Sequence, residues 1–141
     1  MNLKIKEIMT TDVRSISAND SISEAVNIMK QLDIGAVPVL DNSLLVGIIT
    51  DRDIVLRGIA AGKSMEESVS TVMTKDITTV TPDMDVHKAA DLMASKQIRR
   101  LPIVENGRLV GIVSIGDMAV EDIFENEAGE ALHTISMGVR H

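Results

Sequence analysis

Leu45-Val46-Gly47-Ile48-Ile49-Thr50-Asp51-Arg52-Asp53 is an apolar run, then a hydroxyl residue, then an aspartate three positions further on. The pattern returns as Leu109-Val110-Gly111-Ile112-Val113-Ser114-Ile115-Gly116-Asp117, displaced by 64 residues (Gly47 to Gly111). A nearly continuous apolar run of this length reads as a strand buried on both faces. The hydroxyl residue can cap a following helix, and Asp at the third helical position completes a capping box in place of the usual Glu or Gln. Self-similarity at a fixed period of this size marks a duplicated supersecondary module.

Working outward from the first copy, Asp41-Asn42-Ser43 is a turn, and Ala36-Val37-Pro38-Val39-Leu40 is a short strand. Pro38 places it at a sheet edge or a strand beginning. Upstream, Asp20 or Ser21 can cap a helix running to about Leu32, with Ile22, Ala25, Val26, Met29 and Leu32 as its apolar face. Gly35 is expected to release the chain from that helix. Asp12 to Ser17 reads as a brief extended segment anchored by Val13 and Ile16. The lead-in Met1 to Met9 is either a short helical turn or a strand that joins the other half. Downstream, a helix continues through Ile54, Val55, Leu56 and Ile59, limited by Gly58 and Gly62.

The order then restarts. Met73-Thr74-Lys75-Asp76 answers Met9-Thr10-Thr11-Asp12, Asp85 caps a helix carrying Val86, Ala89, Ala90 and Met93, and Leu101-Pro102-Ile103-Val104 answers the Pro38 strand. Asn106-Gly107 is a hairpin turn. Met9 to Asp53 aligns with Met73 to Asp117 without a gap. The organisation is therefore a first domain over 1–62, a polar linker over 63–71, a second domain over 72–124 and a tail over 125–141. Ala119, Val120, Ile123 and Phe124 continue the last helix, and Ala128, Leu132 and Ile135 suit a short terminal one.

Composition limits the functions available. The net charge of -7 argues against a general nucleic-acid binder, which needs a basic face for phosphates. With no cysteine there is no disulfide framework, thiol nucleophile or thiolate metal site, and the chain fits a reducing compartment such as the cytoplasm. No signal peptide and no membrane span are expected. Phe124 is the single aromatic residue, so aliphatic side chains and nine methionines must fill the core and any interface. His87, His133 and His141 have no metal-ligand spacing, and no acid–base or nucleophilic set stands out. Neither a metal site nor an enzymatic role is expected.

Each half resembles a CBS domain, and the whole resembles a stand-alone tandem CBS pair. The resemblance rests on Gly47-Ile48-Ile49-Thr50-Asp51-Arg52-Asp53, Gly111-Ile112-Val113-Ser114-Ile115-Gly116-Asp117, and the Val37-Pro38-Val39 and Leu101-Pro102-Ile103 strands, over roughly residues 5 to 124. It implies an α/β (α+β) fold of two pseudo-symmetric β-α-β-β-α domains packed through their sheets, which commonly dimerise. It also implies adenosyl ligands (AMP, ADP, ATP or S-adenosylmethionine) held in clefts between the halves, with no cofactor and no catalysis.

The resemblance assigns the ribose hydroxyls to Asp53 and Asp117, and a ribose or phosphate contact to Thr50 and Ser114. A carboxylate can accept from both hydroxyls of a diol. The bland alternative is that all four residues only cap helices. Arg52, Arg99 and Arg100 are candidate phosphate ligands, since the arginine fork suits phosphate. Otherwise Arg52 pairs with Asp51, Asp53 or a partner-chain acid, and Arg99 and Arg100 with acids such as Asp33 or Glu105. In the family, the backbone around Val13, Arg14, Ile77 and Thr78 forms one wall of the base pocket, and Ala36, Pro38, Arg100 and Pro102 the other. Ser17 and Thr81 are further ligand candidates or local turn caps. Two functions compete. One is a regulatory homodimer that senses an adenine nucleotide and signals to an effector protein. The other is an interaction module with vestigial clefts that works through its methionines and tail.

Overall fold

The computed structural model describes residues 3–120. The expectations for Ile123, Phe124, the terminal helix, His133 and His141 lie outside the described residues. The chain forms two compact units. One is Arg14–Ile77; the other takes the lead-in up to Val13 together with the chain from Thr78 onward.

In the first of these units, β1 (Ile16–Ser17), α1 (Ile22–Leu32), β2 (Ala36–Asp41), β3 (Leu44–Thr50) and α2 (Asp51–Asp53) follow in order, the last continuing as a π-helical stretch, Ile54–Ile59. This is the β-α-β-β-α unit that the resemblance implies. Strand β1 runs parallel to β2, with Ile16 opposite Val39, and β2 runs antiparallel to β3, with Ala36 opposite Thr50. The other unit repeats the plan with α3 (Val86–Lys96), β4 (Arg100–Glu105), β5 (Arg108–Ser114) and α4 (Ile115–Val120). Its registers fall at the same offset: Val80 opposite Ile103 in parallel, and Arg100 opposite Ser114 in antiparallel.

Several local expectations are refined. Ser21 rather than Asp20 caps α1, its Oγ accepting from the Glu24 amide at 3.1 Å. Asp20 instead accepts from the Ser17 amide at 3.0 Å and closes the preceding turn. The helix is ended by Asp33 in the left-handed region (φ 54°), not by Gly35. Its packed face is Ile22, Ala25 and Ile28, while Val26 and Leu32 remain exposed. The apolar stripe is thus turned toward Ile28. Asp85 caps α3 as expected, accepting from the His87 amide at 2.7 Å.

Pro38 lies inside β2, which has a partner on each side, rather than on an edge strand. Ile48, opposite Pro38, turns its own amide and carbonyl away toward Thr74. The proline therefore faces the side on which β1 begins only at the next residue, so its missing N–H leaves no ladder bond broken.

Each unit combines one repeat with the lead-in of the other. The 3-10 turn Ile5–Glu7 belongs with the second repeat: the Ile5 amide donates to Met84 O at 2.8 Å, and Ile5 is fully buried beside Val86, Leu101 and Met118. The matching turn Val69–Thr71 serves the first repeat, where Val69, Val72 and Met73 join Ile22, Val37 and Ile49. Thr74 pairs with Ile48, and Thr10 with Ile112. The repeat glycines are explained here. A Cβ at Gly47 would stand 2.8 Å from Thr74 O and 2.9 Å from Met73 Sδ; at Gly111 it would meet Met9 Sδ at 2.6 Å and Thr10 O at 3.0 Å. Only glycine lets the crossing strap lie this close.

Candidate functional site

The site begins where a buried strand ends and a helix starts. In the first repeat the Asp53 amide donates to Thr50 Oγ1 at 3.0 Å, and the Thr50 amide donates to Asp53 Oδ2 at 3.1 Å. These reciprocal bonds form the capping box and satisfy two amides that a helix start leaves open. In the second repeat the Asp117 amide donates to Ser114 Oγ at 3.1 Å and the Ser114 amide to Asp117 Oδ2 at 2.9 Å. The capping role weighed for these residues is thus made in both copies.

The copies differ in what else touches the carboxylate. Thr74 Oγ1 donates to Asp53, 3.0 and 3.1 Å from its two oxygens. Arg57 Nε is 4.0 Å from Asp53 Oδ1, and the same guanidinium donates to Met73 O at 3.2 Å. Asp53 is 7% exposed and is the one charged side chain buried among the described residues. Asp117 is partly exposed, and among the described residues no side chain bonds it as Thr74 bonds Asp53.

The segment before the proline strand is tied to each motif through its backbone. The Asp51 amide donates to Gly35 O at 3.0 Å, and the Ile115 amide to Arg99 O at 2.9 Å. Ala36 and Arg100 stand opposite Thr50 and Ser114. Gly35–Ala36 and Arg99–Arg100 therefore border the motifs through their backbone. Their chemistry differs. Asp51 packs against Gly35, its Oδ2 3.0 Å from where a Cβ would lie. The second copy has Arg99 and Ile115 at those two positions. The first motif is thus flanked by charges of both signs (Asp51, Arg52, Arg57) and the second by two exposed arginines.

Arg52 is exposed, and its amide, not its guanidinium, contacts Asp51, at 2.8 Å from Oδ1. Among the described residues Arg52, Arg99 and Arg100 form no ion pair, and the pairings weighed with Asp33 or Glu105 are not made. Pro38 and Pro102 are buried in their strands. Val13, Arg14, Ser17, Ile77, Thr78 and Thr81 lie on other segments, and among the described residues none bonds a motif side chain. Ser17 Oγ accepts from the Asn19 amide at 3.3 Å, and Thr81 O accepts from the Met84 amide at 3.2 Å, so both serve turns. Sequence reasoning missed Thr74 and Arg57. The signal for Thr74 was the Met73-Thr74 restart, which marks the repeat without revealing that the hydroxyl reaches back to Asp53. No group of three or more metal-ligating side chains exists among the described residues, and none of their helices is long and apolar enough to cross a membrane.

The CBS-domain family model matches residues 5–58 and again 69–122, each span starting with the lead-in turn. The CBS domain-containing protein YhcV of Bacillus subtilis is 46% identical over 132 residues, 94% of each chain. Hypoxic Response Protein I, solved with two coordinated zinc ions, superposes with a TM-score of 0.77 at 30% identity, covering 84% of this chain and 98% of that one. The CBS domain pair of protein MJ0100, solved with 5-methylthioadenosine and S-adenosyl-L-methionine, gives a TM-score of 0.74 at 29% identity over 90% and 99% of the two chains.

Proposed function

The chain belongs to the CBS-domain family, with two CBS domains in tandem, a non-catalytic ligand-binding regulatory module, and from that premise we propose that its ligand is adenosyl-bearing. The observation that carries this reading is the duplicated capping box, which fixes a carboxylate and a hydroxyl side by side at the end of a rigid strand. A carboxylate accepts two hydrogen bonds from a vicinal diol, and charged acceptors make the stronger bonds. The MJ0100 pair, solved with two adenosyl compounds, supports carrying that ligand class across. Arg52, Arg99 and Arg100 are exposed donors for a phosphate, when the ligand carries one.

The module works as a homodimer and passes its state to an effector protein. Val55, Leu56 and Ile59 support the dimer: they expose 51%, 51% and 62% of their surface on one helical stretch. Large apolar side chains grouped this way suit a protein contact. The same cluster favours the second reading, an interaction module without ligand.

Calorimetric titration with AMP, ADP, ATP and S-adenosylmethionine separates the two. Saturable binding by the wild type that is lost in Asp53→Asn or Asp117→Asn supports the sensor. Absence of heat for all four, at two temperatures, removes them and leaves the interaction module. A bound ligand also raises the melting temperature in proportion to the logarithm of its concentration.

A further inference from the structure

We infer that Thr74 is a latch on Asp53, which makes the first-repeat aspartate a structural group and leaves Asp117 as the one that receives a ligand's diol. The division of roles rests on the adenosyl reading above; the latch itself does not. A cis-diol engages a carboxylate with one hydroxyl toward each oxygen. On Asp53 that bidentate position is already taken, because Thr74 Oγ1 lies 3.0 Å from one oxygen and 3.1 Å from the other. Oδ2 also accepts the Thr50 amide, and Arg57 Nε stands 4.0 Å from Oδ1. The Asp53 side chain is nearly sealed, at 9% exposure.

The latch joins two parts of the fold. Thr74 is the residue whose backbone pairs with Ile48, so its side chain ties the strap to the helix that begins at Asp51, and Arg57 repeats the tie through Met73 O. The repeat equivalent of Thr74 is Thr10, whose backbone pairs with Ile112 in the same way. Among the described residues, however, Thr10 makes no bond to Asp117, and Asp117 remains partly exposed. Position 121, the counterpart of Arg57, holds Glu in the sequence. Two copies of one motif have thus diverged: one carboxylate is bonded by a strap side chain, while the other, among the described residues, is partly exposed and bonded by the Ser114 amide alone, with Arg99 and Arg100 bordering its motif.

The test pairs thermal unfolding without ligand with calorimetry. Thr74→Val keeps the shape, removes the hydroxyl and is expected to lower Tm by roughly 4 °C. Thr74→Ser should restore most of that loss, and Thr10→Val should change little. In the double variant with Asp53→Ala, the losses should be less than additive; if Asp53→Ala does not fold, the valine and serine variants decide alone. With S-adenosylmethionine and AMP as probes, Asp117→Asn should lose binding. Thr74→Val, but not Thr74→Ser, should gain a further binding event. An equal loss at Thr10 and Thr74, or no rescue by serine, overturns the latch whatever the binding result. Probe binding that survives Asp117→Asn and disappears in Asp53→Asn overturns the division of roles. If neither probe binds any variant while the stability pattern holds, the latch stands and the adenosyl reading falls.

Discussion

Gly47 and Gly111 show how a single position carries the fold. Each is glycine because a methionine and a threonine carbonyl cross directly above it, 2.6–3.0 Å from where a Cβ would lie. Gly47→Ala must push the strap away or bend β3, at a cost of about 1–3 kcal/mol. Urea unfolding should show that loss, and a neutral result would mean that the strap yields freely. Thr50 acts through chemistry instead of space. Thr50→Ala removes the acceptor for the Asp53 amide and should cost about 1 kcal/mol. Thr50→Ser, which keeps the oxygen, should cost much less in the same measurement.

Among elements, the lead-in turn is the informative one. Ile5–Glu7 sits far from the second repeat in sequence, yet Ile5 is completely buried in that repeat's core. Ile5→Ala should destabilise the protein by about 2–4 kcal/mol, as expected for a core residue and not for a terminal one. An effect under about 0.5 kcal/mol, the range of a surface substitution, would contradict the packing. The π-helical stretch gives the opposite case, since its Val55, Leu56 and Ile59 are left exposed. Leu56→Glu should shift a dimer toward monomer in sedimentation without lowering helical content. An unchanged sedimentation coefficient would remove this face from the interface.

Much of this was legible from spacing. The strands around Gly47 and Gly111, the capping boxes and both amphipathic helices follow from local pattern, because each is decided by neighbours three or four residues apart. On α1, Ile22, Ala25 and Met29 pack as the spacing predicts, whereas Ile28 is buried in place of Val26, a choice between two apolar residues that only tertiary contact makes. Pro38 looked like an edge signal, because whether a proline interrupts a ladder depends on where the adjacent strand starts. Thr74 was invisible as a site residue: its bond to Asp53 joins residues 21 apart through a turn of the fold.

At the scale of the whole molecule, the chain is an exchange of lead-ins between repeats. Arg14–Ile77 contains a complete set of contacts for one unit, including Val69, Val72, Met73 and Thr74. A fragment spanning 14–77 should therefore unfold cooperatively in urea, whereas one spanning 1–62 should not, although the latter follows the boundary expected from the repeat. Cooperative unfolding of the 1–62 fragment would show that the exchanged strap is dispensable.

The central claim is that a motif carboxylate receives the diol of an adenosyl ligand. It is tested most directly by a crystal structure of the full chain grown with whichever adenosyl compound calorimetry selects. The expected result is a ribose whose two hydroxyls lie within about 3 Å of the Asp117 carboxylate oxygens, with Thr74 still on Asp53. A ligand seated with its diol facing neither Asp53 nor Asp117 would contradict the account.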